Sequence, residues 1–177
     1  MDDRQLFEKY KETVYLFCRY MVQSRADAED LCQDVFFKAM VADRAKVQNM
    51  KAWLLRIAAN ECNTFLKRRQ NGWSKELRSY MLGMPLRSPS VEETCEHREM
   101  VQTVHLQLDK LPKKIKLVIV LHYSAELSLP ETAEVLNVPL GTVKSRMNRG
   151  LKKMRKLLKE DPSGSWKGGN THAGAQE

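Results

Sequence analysis

The segment from Leu127 to Leu151 restricts the fold more than any other part of the sequence, because it reads as two helices joined by a tight turn. Ser128 can cap the first helix, and Glu131 stands three residues later, where a capping box requires it. Pro139 ends that helix, since the residue before a proline is driven out of the helical region of backbone space. A second helix is predicted from about Gly141. This arrangement is typical of a helix-turn-helix, whose second helix enters the major groove of DNA.

The second helix of this segment has an apolar face and a cationic face. Apolar residues recur at three- and four-residue spacing, which predicts a packed side made of Val143, Met147, Gly150, Leu151 and Met154. The opposite side carries Lys144, Ser145, Asn148, Arg149, Lys152 and Arg155. From Lys144 to Lys159 there are eight Lys or Arg and no Asp or Glu, whereas an ordinary solvated helix interleaves the two signs. A DNA-reading helix-turn-helix is therefore favoured over a plain helical hairpin.

Charge is distributed unevenly along the chain, whose formal net charge is +8. Residues 44–78 carry net +7 and residues 110–160 carry net +8, whereas residues 1–43 and 79–109 each carry net −3. Two separate basic blocks predict two contacts with a polyanion such as nucleic acid. The acidic N-terminal block predicts a contact with a basic partner or with another protein surface.

Helical periodicity dominates the rest of the sequence, so an all-α fold is predicted. Helices are expected over about 3–22, 24–41, 49–69, 91–108 and 113–124, ahead of the helix-turn-helix. The periodicity is lost over about 71–89, where Gly, Pro and Ser are concentrated. Two small helical domains joined by a flexible linker are therefore expected, with boundaries at 1–70 for the first domain, 71–100 for the linker, 101–160 for the helix-turn-helix domain and 161–177 for a disordered tail.

The sequence predicts no catalytic or metal site, so neither an enzymatic activity nor a cofactor is expected. The four cysteines form no CxxC pair, and the four histidines match no zinc spacing. Cys18, Cys32 and Cys62 lie at apolar positions of helical patterns, which predicts buried free thiols. The N-terminus lacks the basic and apolar regions of a signal peptide, and no apolar run is long enough to span a bilayer. A cytoplasmic location is expected.

The predicted second helix has an outer stripe in addition to its packed face. Asp30, Gln33, Asp34 and Phe37 follow i, i+3, i+4, i+7 spacing, so they share one side of the helix. An apolar ring among acidic residues on an outer face is typical of a protein–protein contact. Packing of Phe37 beneath the loop that follows Val41 is an equally good interpretation of the sequence alone.

Three segments resemble, in order, bacterial sigma factors of the extracytoplasmic-function (ECF) group. They are DAEDLCQDVFFKAM from Asp27, AWLLRIAANECNTFLKRR from Ala52, and the segment from Leu111 to Leu158 that contains the helix-turn-helix. The resemblance covers about residues 5–70 and 105–158. It implies a two-domain all-α protein that acts in promoter-specific transcription initiation.

The resemblance also implies partners and the residues that bind them. The clamp helices of the largest subunit of core RNA polymerase would bind Asp30, Gln33, Asp34 and Phe37, and the flap of the second-largest subunit would be a further contact. The promoter −10 element would be held by the loop from Asp43 to Met50, which captures a flipped base, and by Asn60, Lys67, Arg68 and Arg69. The −35 element would be read by Thr142, Lys144, Ser145, Arg146, Asn148, Arg149 and Lys152. An anti-sigma factor is implied as a regulatory partner.

Two positions depart from the family pattern: Asn137 stands where the turn usually has Gly, and Thr132 stands where the supporting helix usually has Ile. The family also places Trp53 near −10 DNA, although core packing is the better interpretation of this residue. The alternative function is a stand-alone helix-turn-helix regulator that binds duplex DNA without polymerase. That alternative explains residues 110–158 but leaves the acidic stripe and the basic end of the third helix without a role.

Overall fold

The computed structural model describes residues 2–22, 24–70 and 104–159, so the predicted linker, the predicted tail and most of the helix predicted over 91–108 lie outside the described residues. The complete helices within these ranges are α1 (Asp3–Met21), α2 (Arg25–Val41), α3 (Met50–Gln70), α4 (Lys113–Tyr123), α5 (Leu129–Leu136) and α6 (Leu140–Lys159). Residues 104–109 are also helical. The described ranges contain no strand, and the predicted all-α class is confirmed.

The helices α1, α2 and α3 pack against one another as a three-helix group. Its core is formed by the faces that the helical spacing predicts, and Phe17, Val35 and Leu54 are fully buried there. Lys38 on α2 and Glu61 on α3 form an ion pair at 2.6 Å across the outside of the group. The group therefore has an apolar interior and a charged exterior, which leaves the outer faces of α2 and α3 available for partners.

Side-chain caps fix where these helices begin. Asp2 forms a capping box with Gln5 at the start of α1. Either Ser24 or Asp27 could cap α2 from the sequence, and the Ser24 Oγ accepts a hydrogen bond from the Asp27 N–H at 3.2 Å. Ser24 is therefore the cap, while the Asp27 carboxylate lies in the first turn, where the helix dipole favours negative charge.

The second group is built around α4, which is buried from Lys116 to Leu121 and contacts both α5 and α6. Gly150 lets α6 approach α4 closely. A Cβ atom added at Gly150 would lie 2.6 Å from Cδ1 of Ile119 and 2.7 Å from Cγ2 of Ile115. The absence of a side chain at this position therefore sets the depth at which α6 packs.

The turn between α5 and α6 shows how the chain accommodates its two departures from the family pattern. Asn137 adopts the left-handed conformation with φ 50° and ψ 52°, which asparagine tolerates better than other non-glycine residues. The N–H of Val138 then donates to the carbonyl of Ala133 at 3.1 Å. Thr132 is fully buried, and its hydroxyl donates to the Ser128 carbonyl at 2.9 Å, so no polar atom of this side chain is left unpaired. The predicted capping box between Ser128 and Glu131 is also formed.

The three cysteines of the first group are buried free thiols, as predicted. The Sγ atoms of Cys18 and Cys62 lie 3.9 Å apart. The hydrogen bond with Cys62, together with burial, raises the pKa of Cys18 above its ordinary value, and burial raises the pKa of Cys32 to about 11. Because the thiolate is the reactive form, these residues act as small apolar side chains of the core.

The second group packs on the first through apolar residues that continue the core and through a set of polar contacts, which we call the seam. It is formed by Met21, Asn49, Lys51 and Asn63 of the first group and by Lys113, Lys116, Glu126 and Glu131 of the second. Lys116 is only 6% exposed, and its ammonium group donates to the Met21 carbonyl and pairs with Asp109. The ammonium group of Lys113 donates to the Asn63 carbonyl at 3.1 Å. Single-residue patterns in the sequence do not predict these contacts.

Candidate polymerase and nucleic-acid interfaces

The outer face of α6 is the most cationic surface among the described residues. Its apolar side is anchored by Val143, Met147 and Gly150, which are buried against the rest of the group. The residues predicted to contact −35 DNA lie on the opposite side: Lys144, Ser145, Asn148, Arg149 and Lys152 are exposed, while Thr142 and Arg146 are half-buried. The structure therefore brings all seven predicted residues onto one helix and exposes five of them.

The cations on this face are available to an external anion. Among the described residues no ion pair is formed by Lys144, Arg149 or Lys152. The hydroxyl of Ser145 donates to the Thr142 carbonyl at 3.0 Å, which leaves its oxygen lone pairs free to accept from a base or a water molecule. Such a face can neutralise phosphates while its shorter polar side chains reach base edges.

The outer stripe of α2 is acidic and contains an exposed apolar patch. Asp30, Gln33 and Asp34 are exposed, and Phe37 is 68% exposed. The interpretation in which Phe37 packs beneath the following loop is therefore wrong. Val41, which is 71% exposed, extends the patch from Phe37 towards the end of the helix. Sequence reasoning missed Val41, although it lies four residues after Phe37 and so shares its side of the helix.

One face of α3 carries residues at alternating three- and four-residue spacing, which are polar except for the first and which we call the α3 stripe: Trp53, Arg56, Asn60, Asn63, Lys67 and Gln70. Asn60 and Lys67 are exposed, as is the neighbouring Arg68. Arg69 is half-buried, and its guanidinium lies 3.6 Å from the Asp27 carboxylate. The four predicted −10 residues thus lie at or beside this stripe, and Arg69 already has a partner within the chain.

Trp53 is half-buried and packs against the core, which agrees with the structural role that the sequence favoured. Its remaining surface lines a cavity of about 310 Å³ between the loop that precedes α3 and the helix α5. The other lining residues are Lys46, Val47, Gln48, Asn49, Ala52, Arg56, Glu134 and Val135. Lys46 and Arg56 are cations of this region that the site prediction omitted.

The loop that precedes α3 is held by short-range hydrogen bonds. The Asp43 carboxylate accepts from the Ala45 N–H at 3.0 Å, and Arg44 pairs with Asp3 of α1. Asn49 has two roles, because its Oδ1 accepts from the Ala52 N–H at 3.0 Å and its Nδ2 donates to Glu131 of α5 at 3.0 Å. The loop thus ends in a residue that caps α3 and joins it to the helix-turn-helix.

Within the described residues, no helix combines the length and the apolar character that a membrane span needs. The same part of the chain brings no three His, Cys, Asp or Glu side chains into an arrangement that could hold a metal ion. The site chemistry available there is that of exposed cations, carboxylates, amides and apolar rings, which suits recognition of macromolecules.

Comparison with known proteins assigns both helical groups. The family description "Sigma-70 region 2" matches residues 6–72, and "Sigma-70, region 4" matches residues 107–156. The ECF RNA polymerase sigma factor SigW of Bacillus subtilis (strain 168) is 34% identical over 160 residues, which cover 85% of this chain and 86% of SigW. The ECF sigma factor SigE of Mycolicibacterium smegmatis is 28% identical over 164 residues, which cover 90% of this chain and 62% of SigE.

Among solved structures, the sigma factor RpoE in complex with the anti-sigma factor NepR from Bartonella quintana has the same fold. It superposes with a TM-score of 0.70 at 24% identity, and the match covers 89% of this chain and 97% of RpoE. The region 2 match includes the acidic stripe and the α3 stripe, so the stand-alone regulator is not favoured. Sigma factors direct promoter-specific transcription initiation with RNA polymerase and are not enzymes. The two region matches and the likeness to SigW show that the chain belongs to the ECF group of RNA polymerase sigma factors.

Proposed function

We propose that this chain binds core RNA polymerase through the outer stripe of α2, reads the promoter −35 element with α6, and holds the −10 element with α3 and the loop before it. The observation that carries this proposal is the separation of charge between the faces. The outer face of α6 is exposed and cationic, whereas the outer stripe of α2 combines carboxylates with an exposed aromatic ring. A duplex DNA and a basic protein surface are the partners that fit these two faces.

On α6, the geometry of the polar groups separates base reading from phosphate binding. Arg149 can donate two hydrogen bonds to a guanine edge, and Asn148 can pair with an adenine edge. Lys144 and Lys152 suit phosphates, because an ammonium group is a point charge without a planar fork. The depth of this helix in the major groove depends on its packing against α4 through Gly150.

The −10 element needs a different surface, since its bases must be unstacked before they are read. Asn60, Lys67 and Arg68 are exposed on or beside the α3 stripe, where cations can hold the backbone of a separated strand. The cavity beside Trp53 offers a place for an unstacked base, which aromatic surfaces stabilise by stacking. Arg69 joins this contact only after its half-buried pair with Asp27 is exchanged for phosphate.

The polymerase contact on α2 predicts a selective loss of binding. Changing Asp30→Ala together with Asp34→Ala is expected to weaken binding to core polymerase by about tenfold, because two solvent-exposed ion pairs contribute on the order of 0.2–1 kcal/mol each. Both residues are exposed, so the melting temperature is expected to change little. Pull-down with core polymerase beside a melting curve measures both quantities. The matched control is Glu8→Ala with Glu12→Ala on α1, and equal losses in the two variants would remove this stripe from the interface.

The proposed promoter activity is tested with a library of random duplexes. Purified chain and core polymerase are incubated with the library, and the transcripts are sequenced. Transcripts from duplexes that share two spaced motifs are expected with polymerase and this chain together, and none with either component alone. If the purified chain instead selects the same duplexes without polymerase, it acts as a stand-alone regulator and the proposal fails.

A protein inhibitor and a cytoplasmic location complete the proposal. The RpoE structure to which this chain is similar contains an anti-sigma factor, and a second similar structure contains CnrH with the cytosolic domain of CnrY at a TM-score of 0.66. We therefore expect a small protein that binds both helical groups of this chain. Co-purification of such a protein with the full chain, and its block of transcription from the selected promoters, would identify it.

A further inference from the structure

A further cavity, of about 380 Å³, lies where the end of α3 meets the start of α4, and we call it the α3–α4 cavity. Its volume is within the range of pockets that hold small molecules. The functions proposed for α2, α3 and α6 leave this cavity unassigned. Both helical groups build its wall, which is lined by Met21, Leu66, Arg69 and Gln70 of the first group and by Asp109, Leu111, Lys113 and Lys116 of the second.

The wall of the α3–α4 cavity contains more positive than negative charge. Three cations line it, Arg69, Lys113 and Lys116, whereas Asp109 supplies the one carboxylate among the described lining residues. The Asp109 carboxylate is paired with Lys116, which is buried. The charges of Arg69 and Lys113 are therefore not neutralised by the wall itself, and such a cavity favours an anion.

Arg69 and Lys113 are the cations that a ligand can use. Within the described ranges Lys113 forms no ion pair, and its ammonium group donates to the Asn63 carbonyl at 3.1 Å. Burial lowers the pKa of Lys113, and the nearby Lys67 lowers it further, so an anion beside this ammonium group would oppose both effects. The Arg69 guanidinium lies 3.6 Å from the Asp27 carboxylate, which is longer than a hydrogen bond, so its N–H donors are not used on that partner.

The rest of the wall is largely apolar and suits a flat ring. Met21 and Leu111 are buried, and Leu66 is half-buried. A ligand that consisted of phosphate alone would leave these three side chains against water, whereas a ring would remove more of their surface from water. Ligand pockets typically combine an apolar wall with a few polar groups that fix the orientation of the ligand. A molecule with phosphate at one end and a ring at the other matches both parts of this cavity.

We propose that the α3–α4 cavity binds a nucleotide, with its phosphates on Arg69 and Lys113 and its base against Met21, Leu66 and Leu111. Because the two cations belong to different helical groups, the complete site exists only while the groups are packed together, and the nucleotide stabilises that arrangement. The nucleotide also occupies the Arg69 guanidinium, so it competes with the −10 strand. The competition rests on the proposed function of Arg69, whereas the binding of the nucleotide does not.

The test measures the binding of ADP to the full chain by isothermal titration calorimetry at about 0.15 M ionic strength, where exposed charges are partly screened. Arg69→Gln and Lys113→Gln each remove one proposed phosphate contact, and each is expected to weaken ADP binding by about tenfold or more, because a charged hydrogen bond is lost. The matched controls are Arg68→Gln and Lys114→Gln. These residues are adjacent to the first two, are exposed and do not line the cavity.

The control variants change the net charge by the same amount as the cavity variants and are expected to alter ADP affinity by less than about twofold. Equal losses in cavity and control variants would show that ADP binds through general surface charge and would overturn the proposal. A loss confined to one cavity variant, or no saturable binding up to about 1 mM ADP, would overturn it as well. If one cavity variant proves unfolded by its melting curve, the other is compared with its own control and decides the question.

Pyrophosphate is the second probe, because it has the phosphates of ADP without the ring. It is expected to bind at least about tenfold more weakly than ADP, since burial of a ring against apolar side chains contributes on that scale. Equal affinities of pyrophosphate and ADP would show that the apolar wall takes no ring, and the assignment of a nucleotide would be wrong.

Competition with DNA is measured separately, so that this inference and the proposed function can fail independently. A fluorescein-labelled single-stranded oligonucleotide of mixed sequence is titrated by fluorescence anisotropy with and without ADP. With ADP at about ten times its Kd, complete exclusion lowers the apparent affinity of wild type for the oligonucleotide about tenfold. Lys113→Gln, which has lost the ADP site, is expected to show little change at the same ADP concentration. Saturable ADP binding without any effect on the oligonucleotide would refute the role of Arg69 at the −10 strand and leave the nucleotide site standing. Promoter-specific transcription by a chain that binds no ADP would refute the nucleotide site alone.

Discussion

The two basic helices α3 and α6 are both suited to a polyanion, yet their cations have different neighbours. Lys144, Arg149 and Lys152 of α6 have no ion-pair partner among the described residues. Along α3, by contrast, Lys51 lies beside Glu126, and Arg69 lies beside Asp27. Under the proposed function, α6 meets duplex DNA as it stands, whereas Lys51 and Arg69 of α3 first exchange internal partners for phosphate.

This difference in ion-pair partners also agrees with the form of DNA that each helix is proposed to bind. Reading a duplex through the major groove requires no distortion of base pairing, so an open cationic face is sufficient. Holding unpaired bases requires a surface that competes with stacking and pairing in the duplex.

The largest expected effect concerns the outer, cationic face of α6. Arg149→Ala is expected to cost about 1–3 kcal/mol in binding to the preferred −35 sequence, if its guanidinium pairs with a base edge. Lys152→Ala is expected to weaken binding to all −35 sequences to a similar degree, because a phosphate contact carries no sequence information. Transcription from promoter variants with single −35 substitutions measures both. If Arg149→Ala lowers transcription equally from every promoter variant, Arg149 contacts a phosphate and not a base.

The next prediction concerns the contact between the two helical groups, where His105 of the second group stacks on Tyr20 of α1 at 4.5 Å between ring centroids. Burial lowers the pKa of His105 to about 4, and the nearby cations Arg19 and Lys116 lower it further, against an opposing effect of Asp109. As the pH falls below about 6.5, the unfolded chain binds a proton at this histidine before the folded chain does. Stability is therefore lost progressively between pH 6.5 and pH 4, and this histidine causes no further loss below that range.

We expect this loss to be about 1–2 kcal/mol, a value reduced from the full shift because the ring is only partly buried. His105→Phe keeps a ring against Tyr20 but cannot be protonated. Denaturant unfolding measures the free energy of unfolding of wild type and variant across this pH window. The difference between the two proteins at each pH cancels the contribution of carboxylates, because both proteins contain them. Parallel stability curves would show that protonation of His105 does not lower the stability of the folded chain. A selective loss of stability in wild type would show that protonation of His105 weakens the contact between the two groups.

A smaller effect on stability is expected at Gly150, where α6 packs against α4. Gly150→Ala gains up to about 1 kcal/mol in helix propensity, but the new methyl group meets Ile115 and Ile119, and such overpacking costs about 1–3 kcal/mol. The net expectation is a loss of about 1 kcal/mol, measured by thermal unfolding. Gly141→Ala in the same helix is the control, because nothing lies within 4 Å of a Cβ added there. It is expected to stabilise the chain, and a loss of equal size at both positions would show that packing on α4 is not the cause.

The parts of the fold that follow from local physics were predictable from the sequence. Helix ends were predicted to within a residue, since caps such as Ser128 and breakers such as Pro139 act over three or four positions. The face of α6 was predictable for the same reason, because helical spacing alone decides which residues share a side. These signals need no knowledge of where other helices lie.

The seam was not predictable in this way. Asn49 and Glu131 are 82 residues apart in sequence, and neither has a local feature that selects the other. Lys116 is buried because the Met21 carbonyl and Asp109 accept from it, yet as a single residue in a helical pattern it reads as solvated. Phe37 gave two equal interpretations, since only the packing of the whole group decides whether an aromatic ring on an outer face is covered. Tertiary contacts between polar residues are thus the part of the site that sequence patterns leave undetermined.

The smallest expected effect concerns the turn that orients α6 relative to α5. Asn137 holds φ at 50°, where a β-carbon is strained in most residues but an asparagine is tolerated. Asn137→Gly is expected to stabilise the chain by about 0.5 kcal/mol at most, since glycine has no steric penalty there but loses more backbone entropy on folding. Asn137→Ala is expected to cost about 1 kcal/mol, because alanine has the penalty without a side chain that can form local hydrogen bonds. Equilibrium unfolding in denaturant resolves these values when the slopes of the three curves agree. Because the turn fixes the cationic face of α6 but does not touch the α3 stripe, −35 specificity is expected to follow the stability of these variants, while single-strand binding by the free chain stays constant. A change in single-strand binding with Asn137→Gly would mean that the turn also sets how α5 lies on the seam, and the two faces would then be coupled through α5.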